Sequence, residues 1–228
     1  MRSSFPPGCL ALIFIVMLAF ILPFFLADAV LTALGKLGMT PYQSMMAAFG
    51  IFIGGMVNIP IKRMVKGEPV SYQTRNMFGI NRLVQSEVKQ QSHTLLAVNL
   101  GGCIIPLIIS IYEISRLFSM HQSVILAFVV SAGLNIWICY SLARPIQNMG
   151  IALNPVIPAL AAAACAYLFA PSQAPSVAFV SGVLGPLVGA DLLHLRDISK
   201  ISTGVASIGG AGTFDGIILS GIVATLLA

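Results

Sequence analysis

The sequence predicts an all-α fold: a polytopic transmembrane bundle of about seven spans, forming one domain over residues 1–228. Three observations carry that reading. The chain is 57% hydrophobic and only 8% charged, whereas a soluble domain carries about 25% charged residues. Its apolar runs recur at lengths near the ~20 residues that cross hydrocarbon. Six of the twelve basic residues, Lys62, Arg63, Lys66, Arg75, Arg82 and Lys89, fall in one stretch between two such runs, which is the mark of a cytoplasmic loop. The net charge of +5 therefore reports topology. The expected surrounding is the lipid bilayer, and no nucleic-acid partner is implied.

The spans are expected at 8–27, 42–61, 94–115, 122–141, 152–170, 176–195 and 208–227. With the 62–93 loop inside, the N-terminus is cytoplasmic, Arg144, Arg196 and Lys200 share its side, and the uncharged turn "PSQAP" (171–175) lies outside. Lys36 and Arg116 are the exceptions. Together these features predict a multi-pass protein of the cell's inner (plasma) membrane. The first span could instead be a signal peptide, since Arg2, an apolar core and Ala27-Asp28-Ala29 are all present. Its apolar stretch is longer than a typical h-region, however, and Pro23 interrupts it. Asp28 is then placed at the span's outer end, in reach of water.

Within the 62–93 loop, Met77, Phe78, Ile80, Leu83, Val84 and Val88 recur at roughly helical spacing. An amphipathic helix on the cytoplasmic leaflet and a solvated linker both fit that pattern. Cys9, Cys103, Cys139 and Cys165 are scattered singly in apolar runs, so they read as packing residues rather than disulfide or metal ligands. No Walker loop, dinucleotide fingerprint, HExxH or GxSxG is present. No metal or organic cofactor is expected. Trp137 and Tyr140 sit towards one end of the fourth span as interfacial anchors would.

Ionisable residues inside spans are few: Glu113, Asp191, Asp215 and, near an end, His194. Glu113 is three residues from Arg116, the spacing of an i,i+3 pair at the outer interface. Asp191 precedes the cytoplasmic end of the sixth span by about four residues, and Asp215 follows the start of the seventh by about seven. A short connection makes these antiparallel helices neighbours, with both carboxylates at similar depth. A charge in the bilayer centre costs roughly 2.5–3.5 kcal/mol on insertion scales, so a shared wet or polar cleft is expected to offset it.

Small residues surround both aspartates. Gly182, Gly185 and Gly189 form a surface for close helix approach. Gly210, Gly212 and Gly216 flank Phe214 and Asp215, so "SIGGAGTF" reads as a broken or re-entrant lead into the last span, which at membrane depth must line a cavity or be buried in protein. His194 stands at i+3 from Asp191 and could either bond that carboxylate or sit at the interface.

"AVNLGGCIIPLIISIY" (97–112), "VLGPLVGADLLHL" (183–195) and "SIGGAGTFDGI" (207–217) resemble a family of uncharacterised bacterial and archaeal membrane proteins, a domain of unknown function. That resemblance implies a polytopic protein and no activity. A second resemblance is to intramembrane aspartyl proteases of the Gly-x-Gly-Asp type, which place two aspartates on neighbouring helices. Phe214-Asp215 is similar to their aromatic-Asp element, Gly189-Ala190-Asp191 to their glycine element, and Pro158-Ala159-Leu160 to a tripeptide found in part of the group. There is no intact Gly-x-Gly-Asp, and the element order is rearranged.

Three roles stay open for Asp191 and Asp215. They could form a catalytic dyad on a membrane-helix substrate, supported by Gly189, Gly210, Gly212, Phe214, Gly216, His194 and Asn99. They could be the cation or proton site of a transporter or channel, with Asn99, Asn135 and Asn154 as polar lining. Or they could be hydrogen-bonded members of a non-catalytic scaffold. The scarcity of other intramembrane charges favours the dyad.

Overall fold

A computed structural model describes residues 7–65, 93–146, 150–198 and 205–228. The middle of the predicted amphipathic loop lies outside the described residues. The elements are α1 (Pro7–Lys36), α2 (Pro41–Gly54), β1 (Asn58–Val65), β2 (His93–Asn99), α3 (Ile105–Phe118), α4 (Gln122–Leu142), β3 (Arg144–Ile146), β4 (Gly150–Ala152), α5 (Val156–Phe169), α6 (Ala174–Leu184), α7 (Leu195–Ile198), β5 (Val205–Ile208) and α8 (Gly216–Leu227). π-helical segments at Leu100–Ile104 and Gly185–Leu192 lead into α3 and out of α6.

The chain is mostly helical but not all-α. Among the described residues, four helical stretches are long and apolar enough to cross a membrane: Ala11–Lys36, Leu100–Phe118, Gln122–Leu142 and Pro171–Asp197. Val156–Phe169 and Gly216–Leu227 are apolar but shorter. Three of the predicted seven spans fall short of that length among the described residues: α2, α5 and α8 have 14, 14 and 12 residues, and in the first the apolar run turns to strand part-way. Thr40 opens α2 with a capping box to Gln43 and Pro41 in its first turn, and the helix stops at Gly54 and Gly55. Ile59 and Ile61 then favour strand. Pro60, which cannot donate to a ladder, sits where the β1–β2 register shifts, a position that tolerates it. β2 supplies the other half of that change before α3 begins. The result is a three-stranded sheet of order β1-β2-β5, antiparallel then parallel, at one end of the helical bundle.

α1 runs through the Ala27-Asp28-Ala29 pattern to Lys36, and Asp28 lies exposed two turns inside the helix rather than at its end. Its packing is confined to its last turns, where Val30, Ala33, Leu34 and Leu37 are buried. The Lys36 ammonium donates to the Leu226 carbonyl at the end of α8 (2.7 Å).

α6 is the core of the bundle, buried continuously from Ser176 to Val183 as a helix apolar all round should be. It packs against α3, α4, α5 and α8. The predicted glycine surface divides between two partners. A Cβ on Gly182 would come within 2.9 Å of the Gly221 Cα of α8, whereas one on Gly189 would reach the Ile136 carbonyl of α4. Pro186 lies at the start of the π segment; it has no N–H for the carbonyl four residues back, and a π turn is one way a helix absorbs that loss.

At the end opposite the sheet, the Glu113–Arg116 pair forms at 3.0 Å. Glu113 is fully buried, and Ser176 of α6 donates to its Oε2 (2.8 Å).

Candidate functional site

Asp191 and Asp215 line one cleft of about 310 Å³ beside the sheet, with Ile151, the strand β5 and the turn at Gly210 and Ala211. Each carboxylate reaches it by a different route. Asp191 lies near the end of the π segment. Asp215 is not two turns inside a helix, as the sequence reading placed it, but is the N-cap of α8. Its φ of −69° and ψ of 148° are extended. Its Oδ1 accepts from the Ile217 N–H (3.0 Å) and its Oδ2 from the Ala211 N–H (3.3 Å). An N-cap carboxylate satisfies N–H groups that would otherwise lack partners, and it meets the positive end of the helix dipole. The offset to its charge is therefore local. The Gly209 N–H lies near enough to Asp191 to act on its charge, so the 209–217 turn holds Asp215 and faces Asp191.

That turn is fixed from below by glycine contacts. Gly209 takes φ +70°, a conformation that is cheap only without a Cβ. Its chain also crosses Gly102 so closely that a Cβ on Gly102 would overlap the Gly209 carbonyl oxygen at 2.0 Å. Beneath this crossing Asn99 is buried. Its Nδ2 donates to the Gly55 carbonyl (2.8 Å) and to Asn58 Oδ1 (3.1 Å), and its Oδ1 accepts from the Gly102 N–H (2.6 Å). Ser207 of β5 donates to the same Asn58 oxygen (2.6 Å). Asn99 thus ties the end of α2 and the start of β1 to the turn after β2, and Asn58 carries that tie on to β5. Asn99 supports the site from beneath rather than lining it.

Of the other expected participants, Gly210 lines the cleft and Gly212 has φ +61° against Gly55. Phe214 is exposed. Gly216 has open space around it, and Gly189 serves the contact with α4. His194 is turned away from Asp191: its Nδ1 meets the Ala190 and Gly189 carbonyls (3.0 and 3.1 Å), and its ring lies 4.9 Å from Tyr140. Asn135 and Asn154 do not line the cleft. The first donates to the Ser181 carbonyl (2.8 Å), and the second accepts from the Val156 N–H (3.0 Å). Asn58 and Ser207 went unnoticed in the sequence, and Cys103, read there only for packing, is a buried thiol within electrostatic range of both aspartates. Asn58 and Ser207 carry no motif, and Cys103 reads as a packing residue.

Long apolar helices around a buried core, with a two-carboxylate cleft against a short sheet, point to a membrane protein with an acidic site at one end of its bundle. The chain belongs to the family described as "Protein of unknown function (DUF1614)", whose model matches residues 52–227. That range contains the cleft, the sheet and Glu113 but not α1. No curated protein and no solved structure matches the chain.

Proposed function

We propose that the cleft is the active site of an aspartyl-peptidase-like enzyme acting on peptide segments at or in the membrane. The observation that carries this is the convergence of Asp191 and Asp215 on one cleft of about 310 Å³ beside a single turn whose backbone N–H groups hold Asp215. Two carboxyls that feel each other share a proton more readily than both ionise. The ionised one takes a proton from water as its oxygen attacks the peptide carbon, and the neutral one gives its proton to the carbonyl oxygen. Collapse of the tetrahedral intermediate then breaks the C–N bond, and the amine leaves with a proton. Among the described residues β5 is an edge strand of the sheet and lines the same cleft, so its outward backbone groups can pair with an extended substrate. The cleft end carries Lys62, Arg63, Arg144 and Arg196, a basic cluster that supports a cytoplasmic orientation for it with the N-terminus inside.

A scaffold role is favoured by one observation, the capping bonds of Asp215, and the test separates the two. Asp215→Asn keeps an N-cap residue and loses the acid, whereas Asp215→Ala loses both, at a cost of roughly 0.5–2 kcal/mol. Purified protein in detergent should cleave a panel of membrane-helix peptides and bind analogues that set a hydroxyl between two carboxyls. Both properties should vanish in Asp191→Asn and in Asp215→Asn, with the latter's thermal midpoint falling less than that of Asp215→Ala. If neither cleavage nor analogue binding is found, while proteoliposomes show an ion flux that Asp191→Asn abolishes, the site belongs to a transporter. If Asp215→Asn retains full cleavage, the dyad is wrong.

A further inference from the structure

α4 carries a polar stripe that faces inward. Ser131, Asn135 and Cys139 recur at i, i+4 and i+8, with 0%, 1% and 0% of their surfaces exposed. The stripe lies along the π segment that follows α6: a Cβ on Gly185 would fall 2.5 Å from Asn135 Nδ2, and one on Gly189 2.8 Å from the Cys139 Cβ. At its cleft end Cys139 is within electrostatic range of Asp191. Towards the opposite end, Ser110 of α3 is fully buried one turn from Glu113, whose Oε2 accepts from Ser176 of α6. Ser176 and Asp191 are fifteen residues apart on one continuous helical stretch, roughly 22 Å at 1.5 Å per residue.

Three polar atoms on this route, Ser110 Oγ, Ser131 Oγ and Asn135 Oδ1, have no hydrogen-bond partner within the protein among the described residues. Helical hydroxyls in this bundle do not lack the alternative. Ser181 turns back to the Val177 carbonyl (2.6 Å) and Thr225 to that of Gly221 (2.7 Å). Ser110 and Ser131 make no such bond. A buried polar atom left unpaired costs about 1–3 kcal/mol, and buried water, which makes 2–4 hydrogen bonds of its own, is the usual remedy.

We propose that internal water molecules occupy a polar column along α6, bridging Ser110, Ser131 and Asn135 between the Glu113–Ser176 pair and Asp191. Water then reaches Asp191 from within the bundle as well as through the mouth of the cleft. The inference does not rest on the peptidase reading, since neither a substrate nor cleavage enters it.

The test is radiolytic labelling of the full-length protein in lipid nanodiscs in ¹⁸O-water, where millisecond X-ray exposure oxidises side chains beside bound water. Cys139, although buried, should acquire the isotope, and several-fold less of it when Asn135→Leu fills the column. Ser110→Ala and Ser131→Ala should each lower the thermal midpoint, because each strips a partner from a bound water. A wild-type Cys139 that stays unlabelled overturns the proposal. So does a rise in midpoint for both serine variants, since removing a truly orphaned hydroxyl stabilises. Should Asn135→Leu fail to fold, wild-type labelling and the serine variants decide the matter.

Discussion

Asn99→Ala should loosen the whole cleft, although Asn99 does not line it. The amide makes three hydrogen bonds, and truncation affects their partners unequally. Asn58 Oδ1 keeps the Ser207 hydroxyl, so its loss is small. The Gly102 N–H is buried and would lose its Asn99 acceptor, and the half-buried Gly55 carbonyl would lose its amide donor. At about 1–3 kcal/mol per orphaned buried group, with the Gly55 carbonyl discounted for its partial exposure, the loss is about 2–4 kcal/mol. For a chain of this size each kcal/mol moves the midpoint by about 2–4 °C, so thermal unfolding in detergent should fall by about 5–15 °C. Asn99→Asp provides the control. It keeps an acceptor for the Gly102 N–H but sets a second acceptor against the Gly55 carbonyl, so it should not rescue. A midpoint for Asn99→Ala within a degree or so of wild type would refute the claim that one buried amide joins the end of α2 to the start of β1 and the turn after β2.

Gly209→Ala should destabilise more than an ordinary glycine replacement. It adds the cost of a left-handed residue, about 1–2 kcal/mol, to a Cβ placed 2.6 Å from the Gly102 carbonyl carbon; a thermal midpoint unchanged from wild type would contradict the crossing of the two turns. Single cysteines in a cysteine-free background check the orientation. One at Lys62 should resist a membrane-impermeant thiol reagent added to intact cells and one at Gln173 should react, the reverse pattern inverting the topology.

Much of this architecture can be read in the chain, and the parts that cannot share one cause. Length and apolarity identify a membrane-spanning helix because nothing else satisfies the backbone in hydrocarbon, so 100–118, 122–142 and 171–197 were legible. The same criterion fails where an apolar run serves two structures. Residues 42–61 and 94–115 are predominantly apolar, yet Gly54 and Gly55 end one helix and β-branched residues extend a strand beyond it, which hydropathy cannot distinguish. The meeting of Asp191 and Asp215 was legible from chain order alone, since the elements that bear them are consecutive. The way they are held was not. Asp215 stands just before an apolar run, which is an N-cap signal, but an assumed span starting at 208 hid it by placing the residue inside a helix. Once the helix begins at Gly216, the carboxylate no longer has to be excused by a remote cavity, because its donors are the N–H groups released where the backbone breaks. The glycines cause that break. The crossing of the 102 and 209 turns requires two residues without side chains, it stops β5 from running on into α8, and it leaves N–H groups directed at two acids. The glycine-rich tract and the aspartates are therefore one device. The glycines supply the close approach, and the approach supplies the donors that allow two carboxylates to stand together at the end of an apolar bundle.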